Sequence, residues 1–223
     1  MVRGITLDAF GTLIDTGRGV LLKVSRAALE DHGRGVAPDA FLEVWDRHFF
    51  GANPPEFLNL AEITEDSLAR TFRDFGIEGD PAPYVDMLDA EWRRAKPYPE
   101  VAAALDALDG LPRAVVSNAD EAFLREILER NSLAFDAVIT SEATRCYKPR
   151  PAIFEAALQA LGMPAQDIVH VGDSLTADVA GAGRLGMRTI WLNRSGVGRG
   201  PGDPVPDAEI RTLAPLADLL KRL

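Results

Sequence analysis

The chain has 223 residues, 47% of them hydrophobic and 26% charged, which is enough to bury the core of one domain or of two unequal domains. Its formal net charge of -10 argues against nucleic acid and against an anionic membrane as partners, because both require clustered Lys and Arg. A small anionic substrate therefore needs a local positive site within a negatively charged protein.

Five short apolar segments predict buried β-strands, because each is bounded by polar or turn-forming residues and several are rich in Val and Ile. From residue 100 onward, segments with helical spacing separate these strands. Strands that alternate with helices predict an α/β fold, with a Rossmann-like parallel sheet and helices on both faces. The five predicted strands are residues 4–8, 113–117, 137–140, 168–172 and 188–192.

Residues 16–96 interrupt this alternation, because they contain helical patterns and no convincing strand. We predict a core of residues 1–15 and 97–223, with an all-helical cap domain, residues 16–96, inserted after the first strand. Ligands bind beyond the carboxyl ends of parallel strands, so the cap is expected to cover the site as a lid. The amphipathic patterns lie at 20–30, 40–50, 65–75 and 84–94, and Thr64 is a candidate N-cap of the third.

Four polar motifs follow four of the predicted strands. In a parallel sheet the carboxyl ends of the strands share one edge, so these motifs are expected to meet. Each has an ordinary explanation when taken alone, since a carboxylate caps a helix, Ser-Asn forms a turn, and a loop lysine is solvated. The motifs are Asp8, Ser117-Asn118, Lys148 within Cys146–Pro149, and Gly172-Asp173-Ser174-Leu175-Thr176-Ala177-Asp178.

Taken together and in this order, the four motifs resemble those of the haloacid dehalogenase (HAD) superfamily, and the insertion is similar to its helical cap. The resemblance spans the whole chain. It implies that Asp8 is a nucleophile that forms a covalent aspartyl intermediate, which water then hydrolyses. It also implies that Thr12 and Ser117 offer hydroxyl groups to an anionic substrate. Lys148 supplies the positive charge, and Asn118 completes the catalytic set and also binds substrate beside Ser117.

The fourth motif of this chain resembles that of the Mg2+-dependent phosphatases of the superfamily. This resemblance implies that Asp8, Asp173 and the backbone carbonyl of Phe10 hold Mg2+, while Asp178 orients the loop or the waters around it. On this basis the favoured function is Mg2+-dependent hydrolysis of a phosphate ester, or of an activated phosphoryl group, on a small molecule.

The first motif favours a different reaction. Most phosphatases of the superfamily have a second aspartate at the position of Phe10, and loss of a general acid costs about 10²–10⁴-fold in rate. Haloacid dehalogenases have an aromatic residue there, in a DAYGT motif close to Asp8-Ala9-Phe10-Gly11-Thr12. Halide leaves as a stable anion and needs no proton. In that reading Phe10 contacts the substrate, and Arg47 is a candidate for holding the departing halide.

The alternative prediction is therefore a metal-independent 2-haloacid dehalogenase, and a third is a weakly active ligand-binding protein on the same scaffold. Dehalogenases of the superfamily use small polar residues where this chain has Gly172-Asp173. Without a metal, Asp8 and Asp173 would be two close carboxylates facing a substrate carboxylate, and one of them would tend to bind a proton. A phosphatase would need another acid, for which His48 in the cap is a candidate.

The single cysteine, Cys146, excludes an intramolecular disulfide and favours a reducing compartment. The chain begins with a strand rather than with a charged and then apolar leader, and no apolar run approaches the ~20 residues of a membrane-spanning helix. We therefore predict a cytoplasmic protein with no membrane partner. A monomer and a homodimer are both compatible with the sequence.

Overall fold

The computed structural model describes residues 2–51 and 56–223. The chain divides into two compact units. The first comprises the residues through Asp15 together with Lys96–Leu223, and the second comprises Thr16–Ala95. The prediction that the second unit acts as a cap remains a prediction.

The first unit is built on a six-stranded sheet in which all neighbouring strands are parallel. The order across the sheet is β5-β4-β1-β6-β7-β8. This confirms the predicted α/β fold and its five strands, and it adds the short strand β8. The strands are β1 Gly4–Leu7, β4 Arg113–Ser117, β5 Ala137–Thr140, β6 Ile168–Gly172, β7 Arg188–Leu192 and β8 Ala208–Ile210.

The two central strands, β1 and β6, are buried along their whole length. Continuous burial is expected for parallel strands that are covered on both faces, and it explains their apolar composition. Leu7 on β1 is in register with Val115 on β4 and with Val171 on β6. The loops after these three strands therefore start at the same level of the same edge.

A two-stranded antiparallel ribbon lies where the chain leaves and re-enters the first unit. It pairs β2, Ile14–Asp15, with β3, Lys96–Pro97. Among the helices of this unit, α8 contributes Phe154 to a buried cluster that includes Val116 of β4 and Ile168 of β6. The helices are α5 Val101–Asp106, α6 Glu121–Arg130, α7 Ser141–Thr144, α8 Pro151–Leu161, α9 Ala180–Gly183 and α10 Leu216–Leu220.

The second unit contains four helices in its described residues and has its own apolar core, centred on Phe41, Phe72 and Leu88. Trp45 is buried in this core and donates a hydrogen bond from its indole nitrogen to Ser67 Oγ at 3.0 Å. In the described part of the chain, no helix combines the length and the hydropathy that crossing a bilayer requires. The four helices are α1 Arg18–Asp31, α2 Pro38–Phe50, α3 Leu60–Asp74 and α4 Ala82–Trp92.

The start of α3 differs from the sequence prediction. Asn59 is the N-cap, and it forms a capping box with Glu62 in which each side chain accepts a hydrogen bond from the other residue's backbone. The predicted cap, Thr64, lies inside the helix, and its hydroxyl donates to the carbonyl of Leu60 at 2.6 Å. The prediction was wrong because a threonine hydroxyl can bond the preceding turn as readily as it caps a helix.

Candidate active site

Asp8 directly follows β1 and begins a tight loop at the carboxyl edge of the sheet. Its backbone N–H donates to the carbonyl of Val171 at 2.9 Å, which ties the residue to β6. Gly11 has φ +84°, a conformation that side chains disfavour. A Cβ atom on Gly11 would lie 2.3 Å from Asp173 Oδ2, so this position also needs glycine for space. The loop thus holds the Asp8 and Asp173 side chains at one site.

Lys148 joins the motifs that follow three different strands. Its ammonium group donates to Asp8 Oδ1 at 2.6 Å, to Asp178 Oδ1 at 2.7 Å and to the carbonyl of Val116 at 3.1 Å. The Lys148 side chain is only 3% exposed. All three ammonium protons are engaged, so the position of the charge is fully determined.

Asn118 acts on the backbone of Lys148. Its side-chain oxygen accepts from the Lys148 N–H at 2.7 Å, and its side-chain nitrogen donates to the Lys148 carbonyl at 3.4 Å. This pair of bonds links the loop after β4 to the lysine. In the described structure Asn118 therefore positions Lys148.

Asp178 is the buried counter-ion of Lys148. Its Oδ2 accepts from the backbone N–H of Ser174 at 3.0 Å, and its Oδ1 lies 3.1 Å from His170 Nε2. A Cβ atom on Gly172 would lie 2.2 Å from Asp178 Cγ, so the glycine before Asp173 makes room for this carboxylate.

The electrostatics of the group follow from burial and from these contacts. Burial lowers the pKa of Lys148, but the carboxylates of Asp178 and Asp8 outweigh burial and hold that pKa above its ordinary value. Burial also disfavours the charge of Asp178, yet Lys148 and His170 hold its pKa below its ordinary value. Lys148 and Asp178 therefore form a stable ion pair.

The pKa values of the other two carboxyl groups, Asp8 and Asp173, are raised, whereas that of Asp178 is lowered. Burial raises the pKa of Asp8 against the opposing charge of Lys148, and the charge of Asp178 adds to the increase. Loss of hydration at the carboxyl, followed by the charges of Asp8 and Asp178, raises the pKa of Asp173 to about 8, although the residue retains exposed surface. The neutral form of the Asp173 carboxyl is therefore favoured to a higher pH than in an ordinary aspartate.

Three buried oxygen atoms of the predicted site have no hydrogen-bond partner among the described residues. They are Asp8 Oδ2, Thr12 Oγ1 and Ser117 Oγ. Buried polar groups are nearly always hydrogen-bonded, so unpaired ones in a cluster of charges indicate groups that are kept for a ligand. Two hydroxyl donors and one carboxylate oxygen suit a small anion that is attacked by a carboxylate.

Phe10 is half-buried between Asp8 and Thr12, and its ring lies 5.8 Å from that of Phe123. It offers an apolar surface and no proton. Arg47 belongs to the helical unit, where its Nε donates to the carbonyl of Glu43 at 3.5 Å. His48 lies 2.7 Å from Asp74 Oδ2 in the same unit. The predicted roles of Arg47 and His48 toward a substrate remain predictions.

Arg194 lies at the site, although none of the four strand-end motifs contains it. This residue follows β7, and its guanidinium donates to the carbonyls of Gly11 at 3.1 Å and Thr12 at 2.8 Å. It also bonds Glu100 Oε1 at 2.7 Å and stacks on Tyr98, with the charge 3.5 Å from the ring centroid. Its position in the sequence could have indicated it, because the fifth predicted strand ends two residues before Arg194 at the same sheet edge.

The chain is similar to dehalogenases over nearly its whole length. It is 30% identical over 230 residues to an (S)-2-haloacid dehalogenase from Pseudomonas sp. (strain YL), covering 99% of this chain and 95% of the relative. It is 27% identical over 230 residues to haloacetate dehalogenase H-2 from Moraxella sp. (strain B), covering 96% and 98%. A solved structure of the L-2-haloacid dehalogenase from Xanthobacter autotrophicus with chloropropionic acid covalently bound has a TM-score of 0.77, at 24% identity over 99% of both chains.

These relatives overturn two predictions that rested on the fourth motif. Phosphate ester hydrolysis as the main reaction is wrong, and so is the Mg2+ cofactor assigned to Asp8, Asp173, Asp178 and the carbonyl of Phe10, because the relatives are named dehalogenases. The structure gives a physical reason for the error. The three carboxylates lie within 4.8 Å of one another, as cation ligands would, but the Lys148 ammonium already binds two of them. The acidic cluster that resembled a metal site therefore surrounds the Lys148 ammonium, which supplies positive charge to Asp8 and Asp178.

The family model of haloacid dehalogenase-like hydrolases matches residues 2–186. This range contains all four strand-end motifs and the whole helical unit. The protein therefore belongs to the haloacid dehalogenase-like hydrolase family.

Proposed function

We propose that this protein is a 2-haloacid dehalogenase that hydrolyses the carbon–halogen bond of a short 2-halocarboxylic acid. One observation carries the proposal: buried Asp8 has Lys148 on Oδ1 and no partner on Oδ2 among the described residues, while Phe10 occupies the position of the usual general acid. This arrangement offers a carboxylate nucleophile and has no acid at the position from which a leaving group is usually protonated. A halide is a leaving group that needs none.

In the first half-reaction, Asp8 Oδ2 attacks C2 of the substrate and forms a C–O bond. The carbon–halogen bond breaks, and the halide leaves with its electron pair. Lys148 holds Oδ1 at 2.6 Å and so limits rotation of the carboxylate, which keeps Oδ2 directed away from the ion pair. The hydroxyls of Thr12 and Ser117 supply hydrogen bonds to the substrate carboxylate.

In the second half-reaction, water attacks Cγ of the Asp8 ester. Oδ1 is then the ester carbonyl oxygen, and negative charge develops on it as water adds. Lys148 is already in hydrogen-bond contact with this atom, and an ammonium aimed at a developing oxyanion in a dry site is a strong stabilising interaction. Collapse releases a 2-hydroxy acid and a proton and restores the Asp8 carboxylate.

Asp173 is the feature that departs from the dehalogenase pattern. A third negative carboxylate beside Asp8 and Asp178 would repel an anionic substrate. The neutral form of Asp173 avoids this repulsion at neutral pH, since its pKa is raised to about 8. Protonated Asp173 also offers a hydrogen-bond donor instead of a charge. The substrate class named for the relatives is thus compatible with this acidic motif.

The test is halide release from (S)- and (R)-2-chloropropionate, each with EDTA and with added Mg2+, in the wild type and in Asp8→Asn. The expected result is chloride release that depends on Asp8 and persists in EDTA. The Asn side chain keeps the size of Asp8 and removes the nucleophilic charge, so turnover should fall by at least about 10³-fold.

Para-nitrophenyl phosphate serves as the comparison substrate under the same conditions. Phosphate release that exceeds chloride release and requires both Asp8 and Mg2+ would contradict the proposal. Binding of 2-chloropropionate without any Asp8-dependent turnover would instead indicate a ligand-binding protein.

A further inference from the structure

His170 is a buried titratable residue to which the mechanism above assigns no role. It lies in the middle of β6 with no exposed surface. Its Nδ1 is 2.8 Å from Thr6 Oγ1 on β1, and its Nε2 is 3.1 Å from Asp178 Oδ1. The rings of His170 and Phe154 are nearly perpendicular, with the centroids 5.1 Å apart. Both ring nitrogens and the ring position are therefore defined by neighbours.

The chemistry of these neighbours determines which ring nitrogen faces Asp178 as a donor. An ionised carboxylate can only accept hydrogen bonds, so the Nε2–H group donates a hydrogen bond to Asp178. In the tautomer that carries its single proton on Nε2, Nδ1 is an acceptor for the hydroxyl of Thr6. Thr6 thereby selects the tautomer that His170 needs to bond Asp178.

The bonds continue without a break to the nucleophile. Thr6 Oγ1 contacts His170 Nδ1, His170 Nε2 contacts Asp178, and the Lys148 ammonium bridges Asp178 and Asp8. When Asp8 becomes an ester it loses its charge, and Asp178 is left as the carboxylate that neutralises Lys148. The orientation of Asp178 at that stage depends on the donors that hold it, which are His170 and the N–H of Ser174.

We propose that His170 is a positioning residue that holds Asp178, and through it Lys148, in the arrangement that the reaction of Asp8 requires. His170 does not touch the substrate, so its effect falls on the chemical steps and not on binding. The kinetic part of this proposal rests on the proposed dehalogenase function.

Two pairs of variants test the role. His170→Leu removes the donor to Asp178, whereas His170→Gln keeps an N–H donor near the position of Nε2. Thr6→Val removes the hydroxyl that bonds Nδ1, and Thr189→Val is its matched control. Thr189 is buried and in register with His170, and it lies on β7, the strand on the side of β6 opposite to β1. Its hydroxyl donates to Asp207 Oδ2 at 3.4 Å and not to His170.

The expected result for His170→Leu is a kcat for 2-chloropropionate that is lower by roughly 10- to 100-fold with KM nearly unchanged, as found for residues that orient a catalytic group. His170→Gln should recover most of the lost kcat. Thr6→Val should lower kcat, and Thr189→Val should not. A purely structural role predicts that the melting temperature and kcat fall together in all four variants.

Nitrogen NMR of the wild type and of His170→Leu provides an arm that requires no turnover. The His170 ring should show the Nε2–H tautomer, and the Lys148 ammonium protons should exchange with solvent faster in His170→Leu. If the wild type releases no halide, the proposed function fails. The NMR measurement alone then decides whether His170 positions Asp178 and Lys148. An Nδ1–H tautomer, unchanged Lys148 exchange, or wild-type kcat in His170→Leu would overturn the proposal.

Discussion

Among single residues, Lys148 places a positive charge where the sequence also predicted a metal ion. Its ammonium lies 2.6 Å from Asp8 Oδ1 and 2.7 Å from Asp178 Oδ1. The strand-end positions of Asp8, Lys148 and Asp178 predicted that they would meet. They could not predict which of the carboxylates the ammonium would bind, because that depends on side-chain geometry within the cluster.

Asp173 leads to a prediction about pH. Burial and the charges of Asp8 and Asp178 raise the pKa of Asp173 to about 8, so it is neutral below that pH and negative above it. Ionisation adds negative charge beside an anionic substrate, and juxtaposed like charges cost several kcal/mol before solvent screening reduces the effect. We therefore expect kcat/KM for 2-chloropropionate to decline as the pH rises through about 8.

Asp173→Asn is the matched variant, because it keeps the size and a hydrogen-bond donor but does not ionise. Its pH profile, measured beside that of the wild type, should lack the alkaline decline. An unchanged decline in Asp173→Asn would assign that pKa to another group and remove Asp173 from the account.

At the scale of elements, the loop after β1 depends on the end of β7. Arg194 donates to the carbonyls of Gly11 and Thr12, so it fixes the segment that carries the Thr12 hydroxyl. The alternation of strands and helices predicted this sheet edge correctly. It missed Arg194 because the partners of the side chain are backbone carbonyls, which leave no motif. It missed β8 because three residues give too short a pattern.

Arg194→Lys tests this dependence. Lysine keeps the charge but cannot reproduce the forked donor geometry, so Thr12 should lose its fixed position. We expect KM for 2-chloropropionate to rise by about tenfold, since a hydrogen bond to a charged group contributes about 1.5 kcal/mol. The control is Arg199→Lys, because Arg199 is an exposed arginine nearby in sequence. Steady-state kinetics should show a raised KM in Arg194→Lys and not in Arg199→Lys. Equal KM values in the two variants would refute the dependence of the Thr12 loop on Arg194.

For the whole molecule, the two units differ in how much of their structure could be predicted from the sequence. The first unit has polar residues at fixed topological positions, so the α/β sheet and the meeting of Asp8, Lys148 and Asp178 at one edge followed from the strand pattern. The helical unit offers only amphipathic periodicity, and that pattern does not say which side chains face a substrate. Trp45, for example, is core, whereas Phe50 is 81% exposed.

The same contrast explains the error about the reaction. The Asp173 motif and the Phe10 motif imply different chemistries, and both lie in the same unit. The resemblance of the fourth motif to Mg2+-dependent phosphatases favoured a metal site, whereas the full-length likeness to dehalogenases favours the reading of the Phe10 motif.

Mass spectrometry of the protein, quenched during turnover of 2-chloropropionate, detects the covalent intermediate itself. We expect an ester on Asp8, seen as a mass increase of one propionate unit on the peptide that contains residue 8 and absent from Asp8→Asn. Slower hydrolysis of the ester in Lys148→Met should increase the labelled fraction relative to its rate of formation. Chloride release with no label on Asp8, or with a label on another residue, would contradict the account.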